Sequence, residues 1–569
     1  MRTPAAVLFA ITPLVVLGPV TPSSTSLTPP DRRHFEPPVL EDTNPDPDVV
    51  EVGLTASPAE VRFRRGGTTE VWAYNERMPG PTIEAEVGDR LIVHFCNELP
   101  PASEAEGAGA TTIHWHGVEN VAPMDGSNIS QPLVDPGECF DYDFPLLRAA
   151  TYWYHAHIES NVQVEHGLHG ALVVRDPAED KALGLPTKDT VVVLDDVLLD
   201  DHGDIAPPLP DDGIERAKTL LDGREGNTLL VNGRAPQTVN VRIGEPQRWR
   251  LVNVANARFM RLSFPTNAWR IGGDAGLIAH PEEISPIPQV PDPEEPGQTM
   301  SDPDPDKGLL LTPGERAEVL FTATGKPGDV IEVKWHDFPR GRHAPFRRDD
   351  GTIGLADDEN DGRHAPETLV RLRLIGKPRG TEPTPPETLR PVDPIDTSDA
   401  KTLHATFGHG APTPDGDVTF FAQQVDGSPR PFDAVTPADA QDVTVGDTAI
   451  WEITNPSGAD HPFHAHGFFF QPLEVEFVDM DNPENNRVVP FTNVEFKDNI
   501  RLPARPGAAM RSRTILRVAV SFDDTGREGL TEAFGKSPSP GHSGGWVFHC
   551  HILEHADHGM MSFVEVRNE

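Results

Sequence analysis

A chain of 569 residues exceeds what one hydrophobic core supports, so two to four domains are expected. Its 89 acidic side chains against 48 basic ones give a formal charge of −41, which excludes a polyanion such as nucleic acid as a partner. Abundant Gly and Pro, with no extended run of amphipathic helical periodicity, point to loop-rich β structure.

The chain opens "MRTPAAVLFAITPLVVLGPVTPSS", one Arg followed by an apolar stretch and then small residues. Residues 1–30 read as an export signal, with an apolar part too short for a membrane span, and the Pro-rich, acidic residues 31–48 read as a disordered leader. A recurring frame follows. "VGDRLIVHFCN" (87–97), "IGEPQRWRLVN" (243–253) and "VGDTAIWEITN" (445–455) each place an aliphatic-Gly-acid turn before an alternating strand that ends on Asn. Each is followed by a Pro-Gly that opens another strand, at Pro136, Pro313 and Pro506. Three copies in order predict three related all-β, Greek-key sandwich domains, placed at 49–178, 187–376 and 399–569. The Pro- and acid-rich stretches 280–306 and 375–399 read as a surface insertion and an interdomain linker.

Four short segments hold ten of the 23 His: "HWH" (His114, His116), "HAH" (His155, His157), "HPFHAH" (His461, His464, His466) and "HCHILEH" (His549, His551, His555). They fall in the first and third domains only. Successive strand side chains face opposite ways, so His549 and His551 leave one face and Cys550 the other, and one segment addresses two metal sites. The first domain has Ala156 at the matching position, so it offers imidazoles and no thiolate. One thiolate, two imidazoles and a thioether (Cys550, His461, His555, Met560) are the donor set of a blue copper site. The eight other cluster His, in pairs from two domains, suit a multinuclear copper site at a domain interface. Zinc is the runner-up metal, although structural zinc favours closed Cys-rich sets.

With these four motifs in order and the repeats around them, the chain after residue 49 resembles a three-domain multicopper oxidase of the laccase kind, built from cupredoxin domains. The resemblance implies four copper ions. His461, Cys550, His555 and Met560 would hold the type 1 copper, and His114 and His464 the type 2 copper. His116, His155 and His551 would hold one type 3 copper, and His157, His466 and His549 the other. It implies that Cys550 passes electrons from the type 1 site to dioxygen, that Asp125 in "MDG" relays protons, and that Cys96 and Cys139 form a disulfide. A second relay acid, which many bacterial relatives carry directly after the last type 1 His, is replaced here by Ala556, with Asp557 next.

The nine Met form no Met-rich insertion of the kind that captures cuprous ions. The expected reductants are therefore phenols or aromatic amines, oxidised at an exposed type 1 imidazole in an apolar cleft; a ferroxidase or Mn(II) oxidase, or a copper-tolerance binding protein, is the alternative. A monomer in an extracytoplasmic compartment, periplasmic or secreted, is expected, with neither nucleic acid nor a membrane span. His336 and His343 in "WHDFPRGRH" read as an exposed loop, His166, His169, His542 and His558 as neighbours of the ligands or surface residues, and Met561 as core.

Overall fold

The computed structural model describes residues 35–567, apart from 64–66, 104–106, 187–188, 266, 293–297, 378–384, 426, 437–438, 508–510 and 524–544. The expected export signal and His542 lie outside the described residues. Six main sheets form three pairs along the chain. In the first pair, a four-stranded sheet that includes Val49–Val61 and Arg90–Asn97 faces another that holds Ile113–His116 and Ala150–Ala156. Six- and five-stranded sheets make the middle pair, and two five-stranded sheets the last, one of them carrying His461–Ala465 and Trp546–Cys550. The β-sandwiches expected from the repeats, with the cupredoxin fold that the resemblance implies, are the architecture found.

The repeated frame has a structural counterpart in every pair. The strand after each turn (Arg90–Asn97, Pro246–Asn253, Thr448–Asn455) lies parallel to the first strand of its unit and antiparallel to the strand after the Pro-Gly. The terminal Asn has a common task. Asn97, Asn253 and Asn455 are fully buried, and each donates its Nδ2 hydrogens to two backbone carbonyls in loops or at a strand end: Gly109 and Val134, Arg258 and Leu311, Ala459 and Pro503. An amide with two donors and an acceptor satisfies loop groups that sheet hydrogen bonds cannot reach.

Two expectations are corrected. The leader is not disordered over 36–48: Pro38 and Leu40 exchange backbone hydrogen bonds with Thr82, and Glu36 accepts from the Val191 amide. An extended, Pro-rich segment with few donors of its own is suited to lie along a sheet margin. The loop-rich β pattern is also interrupted by a ten-residue helix, Gly213–Asp222, N-capped by Asp212, which buries Ala217, Leu220 and Leu221. Among the described residues no helix is long and apolar enough to cross a membrane.

Candidate metal centre

Strand register brings the His motifs together in the same way in both end domains. His114 sits opposite His155, and His464 opposite His549, each across an antiparallel pair. The two constructions then meet: His114 stacks on His466 at 3.7 Å between ring centres, and His116 on His464 at 3.8 Å. His157 lies 4.9 Å from His466 and 5.4 Å from His549, while His551 lies 5.0 Å from His116 and 5.7 Å from His155. All eight rings are buried. On the other face of its strand, Cys550 Sγ is 3.6 Å from His461 Nδ1 and 3.5 Å from His555 Nδ1. Met560 belongs to the same buried apolar cluster as Cys550, and Met561 to a different one with Val547 and Phe563.

On most rings of the two pockets, including His114, His464, His466 and His549, a hydrogen bond fixes which nitrogen is free. His114 and His464 donate Nδ1–H to the carbonyls of Asp125 and Asp498, at 2.7 and 2.8 Å, so the lone pair of each neutral ring is on Nε2. Those two Nε2 atoms are 3.5 Å apart. His466 donates Nδ1–H to Asp125 Oδ2 and His549 to the Cys550 carbonyl, and their Nε2 atoms face each other at 3.2 Å. His116 is turned the other way: Nε2–H goes to Asp498 Oδ1 at 3.1 Å, and the buried Nδ1 has no hydrogen-bond partner among the described residues. Beside the thiol, His461 gives Nε2–H to Ser457 Oγ and His555 gives its own to the Leu221 carbonyl, which leaves two Nδ1 lone pairs 3.2 Å apart. Lone pairs converging in a buried space repel unless a cation lies between them, and imidazoles oriented by carbonyls and carboxylates are how metal-ligating His are held. Burial holds His461 down to about 3 and His549 to about 4, so both rings stay neutral and keep those lone pairs. It pushes the Cys550 thiol up, a cost that a bound cation would offset by stabilising the thiolate. The donors present fit copper.

Several parts of this centre carry no motif. Asp498 holds His116 through its side chain and His464 through its carbonyl, and Arg316 of the middle domain forks onto both of its carboxylate oxygens. The middle domain's Pro-Gly turn also reaches the junction. Gly314 has φ +86°, and a Cβ there would lie 2.4 Å from Asn499 Nδ2, 2.9 Å from His551 and 3.0 Å from His116. Asn256 ties all three domains, donating to the Asn161 carbonyl and to Glu554 Oε1 while its own carbonyl accepts from the Leu553 amide. Asp557 accepts from the Asn161 amide at 2.6 Å and so fixes the turn after His157.

The remaining candidates fall into place. Asp125 is 1% exposed and spans His114 and His466. Cys96 and Cys139 face each other in register and are disulfide-bonded, as expected. His166 stacks on Trp72, His169 faces Asp195 at 3.4 Å, and His558 bonds the Glu554 carbonyl. His336 and His343 are not exposed: the first is held between Ser263 and Ser301, and the second is pinned to Asp222. The exposed type 1 imidazole is not found either, since His461 is 1% and His555 0% exposed.

Multicopper oxidase family models match residues 55–179 and, in two blocks, 406–525 and 536–569. The chain is 24% identical over 549 residues to a laccase of Bacillus stratosphericus, covering 88% of this chain and 91% of that one. It is 31% identical over 331 residues to the cell division protein FtsP of Proteus mirabilis, 56% of this chain and 62% of that protein. Among solved structures, a multicopper oxidase from Campylobacter jejuni described as a metallo-oxidase superposes with a TM-score of 0.67 at 23% identity, over 94% of both chains. The paired family domains at the two chain ends, over a fold shared throughout, make this chain a member of the multicopper oxidases, a three-domain, laccase-like oxidoreductase of a family that works with bound copper.

Proposed function

We propose that the chain couples one-electron oxidation of a reductant beside Cys550 to the four-electron reduction of dioxygen to water at the eight-histidine junction. The observation that carries this reading is the set of facing lone pairs, 3.2 and 3.5 Å apart, in two separate buried pockets that one strand joins. His461, Cys550, His555 and Met560 would hold one copper. His114 and His464, then His116, His155 and His551, then His157, His466 and His549, would hold three more. Bound there, copper supplies the electron transfer and the activation of dioxygen.

The chain's own residues supply the rest. Cys550 sits between His549 and His551, so a few covalent bonds join the two pockets and no solvent intervenes. Asp498 and the Asp125 carbonyl keep protons on the outer nitrogens of His116, His464 and His114, and the lone pairs point inward. Asp125 keeps one oxygen on His466 Nδ1 while its buried Oδ1 has no hydrogen-bond partner among the described residues, and it is the atom we assign to carrying protons to the junction. An extracytoplasmic location accords with the disulfide, since such bonds persist in oxidising compartments.

Phenols and aromatic amines need an imidazole edge open to solvent; metal ions need only a docking site within reach. Burial of His461 and His555 favours metal ions. Oxygen uptake by the copper-loaded enzyme, driven in turn by a dimethoxyphenol, Fe(II) and Cu(I) at equal ionic strength, tests both parts. Failure of every reductant would sink the oxidase reading, and a phenol far ahead of both metals would sink the preference.

A further inference from the structure

Arg340 comes from the middle domain and ends beside the Cys550 pocket, 1% exposed. It holds both segments that anchor the pocket's imidazoles. Its backbone carbonyl accepts from the Asp460 amide at 2.8 Å, one residue before His461. Its Nη2 donates to the carbonyl of Asp222, one residue after the Leu221 carbonyl that takes His555 Nε2–H. Gly341, at φ +81°, lets the two domains come this close: a Cβ there would lie 2.0 Å from the Gly458 carbonyl, in the turn whose Ser457 holds His461 Nε2.

A guanidinium keeps its charge even when buried. Its carboxylate partner among the described residues is Glu225, 2.8 Å from Nη2 and 3.1 Å from Nε, which Arg342 also reaches at 2.9 Å and Arg258 at 3.5 Å. Burial pushes Glu225 up, but Arg342, Arg258 and Arg340 together hold it well below the usual carboxylate range, so it stays ionised. Arg342 and Arg258 also face Asp337 and Asp196, so the group has carboxylates enough to balance it, and what counts at the pocket is the charge that lies nearest. That charge is Arg340. Burial is the larger cause that lowers His461 and His555 and raises the Cys550 thiol; to it Arg340 adds a further lowering at both rings and a pull toward the thiolate, which Glu554 opposes.

We propose that Arg340 sets the reduction potential of the Cys550 pocket, and that its charge raises it. The proposal rests on the copper reading above. Two neutral imidazoles, a thiolate and divalent copper sum to one positive charge, and one electron taken from the reductant brings the pocket to neutrality with no bond made or broken. A fixed positive charge nearby disfavours the charged state, and a buried setting leaves that penalty largely unscreened. The pocket becomes the stronger acceptor, so reductants that hold their electrons more firmly come within its reach. The middle domain then contributes chemistry as well as spacing.

Redox titration of the visible band of the copper-loaded protein measures the potential directly. Arg340→Gln removes the charge, Arg340→Lys keeps it and gives up the fork, and Glu225→Gln strips Arg340 of its counter-charge. Arg340→Gln is expected to move the reduction equilibrium toward the oxidised state by about tenfold or more, about 59 mV for one electron. Glu225→Gln is expected to move it about threefold or more the opposite way, and Arg340→Lys to stay within about threefold of the parent. A purely mechanical brace would instead move all three variants in one direction. Shifts of one sign throughout, no shift, or an Arg340→Lys shift as large as that of Arg340→Gln therefore overturns the proposal. If Arg340→Gln does not fold, Glu225→Gln, which leaves Arg340 in place, decides by the sign of its shift. A copper-loaded parent without a visible band takes down the copper reading and the proposal with it, whereas a parent band whose potential ignores the variants removes the role of Arg340 alone.

Discussion

At the scale of single residues, the thiol and one carboxylate have separable tasks. Cys550 is the free thiol, with its Sγ against His461 and His555, so on the copper reading Cys550→Ser is expected to abolish the intense visible absorption and spare most copper at the eight-histidine junction. Absorption spectra with metal analysis check this, and a retained visible band counts against it. Asp125→Asn keeps the hydrogen bond to His466 and loses the acid, so reoxidation by dioxygen is expected to slow by about 10²-fold or more while reduction changes little. Stopped-flow measurement of the two half-reactions separates them, and equal slowing would remove Asp125 from the proton path. The ten His and Cys550 were legible in the sequence because strand alternation and donor softness act locally. Asp498 was not. Its meaning comes from His116 and Arg316, 382 and 182 residues away, and an isolated Asp between Lys497 and Asn499 carries no local signal of either.

Among elements, the repeated strand-turn frame was readable because each copy solves the same problem with the same Asn and the same parallel partner. The helix Gly213–Asp222 was missed because ten residues with a narrow apolar side are weakly periodic inside a β-rich chain, and what it covers lies in another domain. The Pro-Gly turns looked like punctuation, yet the middle one is pressed into the junction. Gly314→Ala is expected to cost about 1–3 kcal/mol and to lower copper per chain, because the new methyl displaces Asn499, His116 and His551. Thermal unfolding and metal analysis test it together; full copper at parental stability would contradict the close contact. The Cys96–Cys139 bond closes a 43-residue separation between neighbouring strands, so replacing both by Ala is expected to remove about 2–5 kcal/mol from the first domain. Urea unfolding measures the loss, and dithiothreitol is expected to reproduce it in the parent protein.

Over the whole molecule, the middle domain lends no His or Cys to the Cys550 pocket or the junction among the described residues and still shapes both. Arg316 steadies the eight-histidine junction through Asp498, Asn256 ties the three domains, and Leu221 covers the Cys550 pocket. Metal that binds the folded junction and not the unfolded chain stabilises it by mass action. Stripping copper with a chelator is therefore expected to lower Tm and to increase proteolysis at the domain boundaries, and re-addition to restore both. A chelated protein with unchanged Tm would mean that protein contacts alone hold the junction. The length of chain between partners has a further consequence, for the order of events in the cell. His114 and His464 are 350 residues apart, and His549 and His551 come later still. During synthesis the first domain emerges with two histidine pairs and no counterpart, so no complete site exists until the third domain has been made. On the proposed reading, copper capture at the junction would then be a late event, a report that the polypeptide was finished and its outer domains found each other, and a ribosome that stops early would release a chain with only the first domain's histidines for that junction.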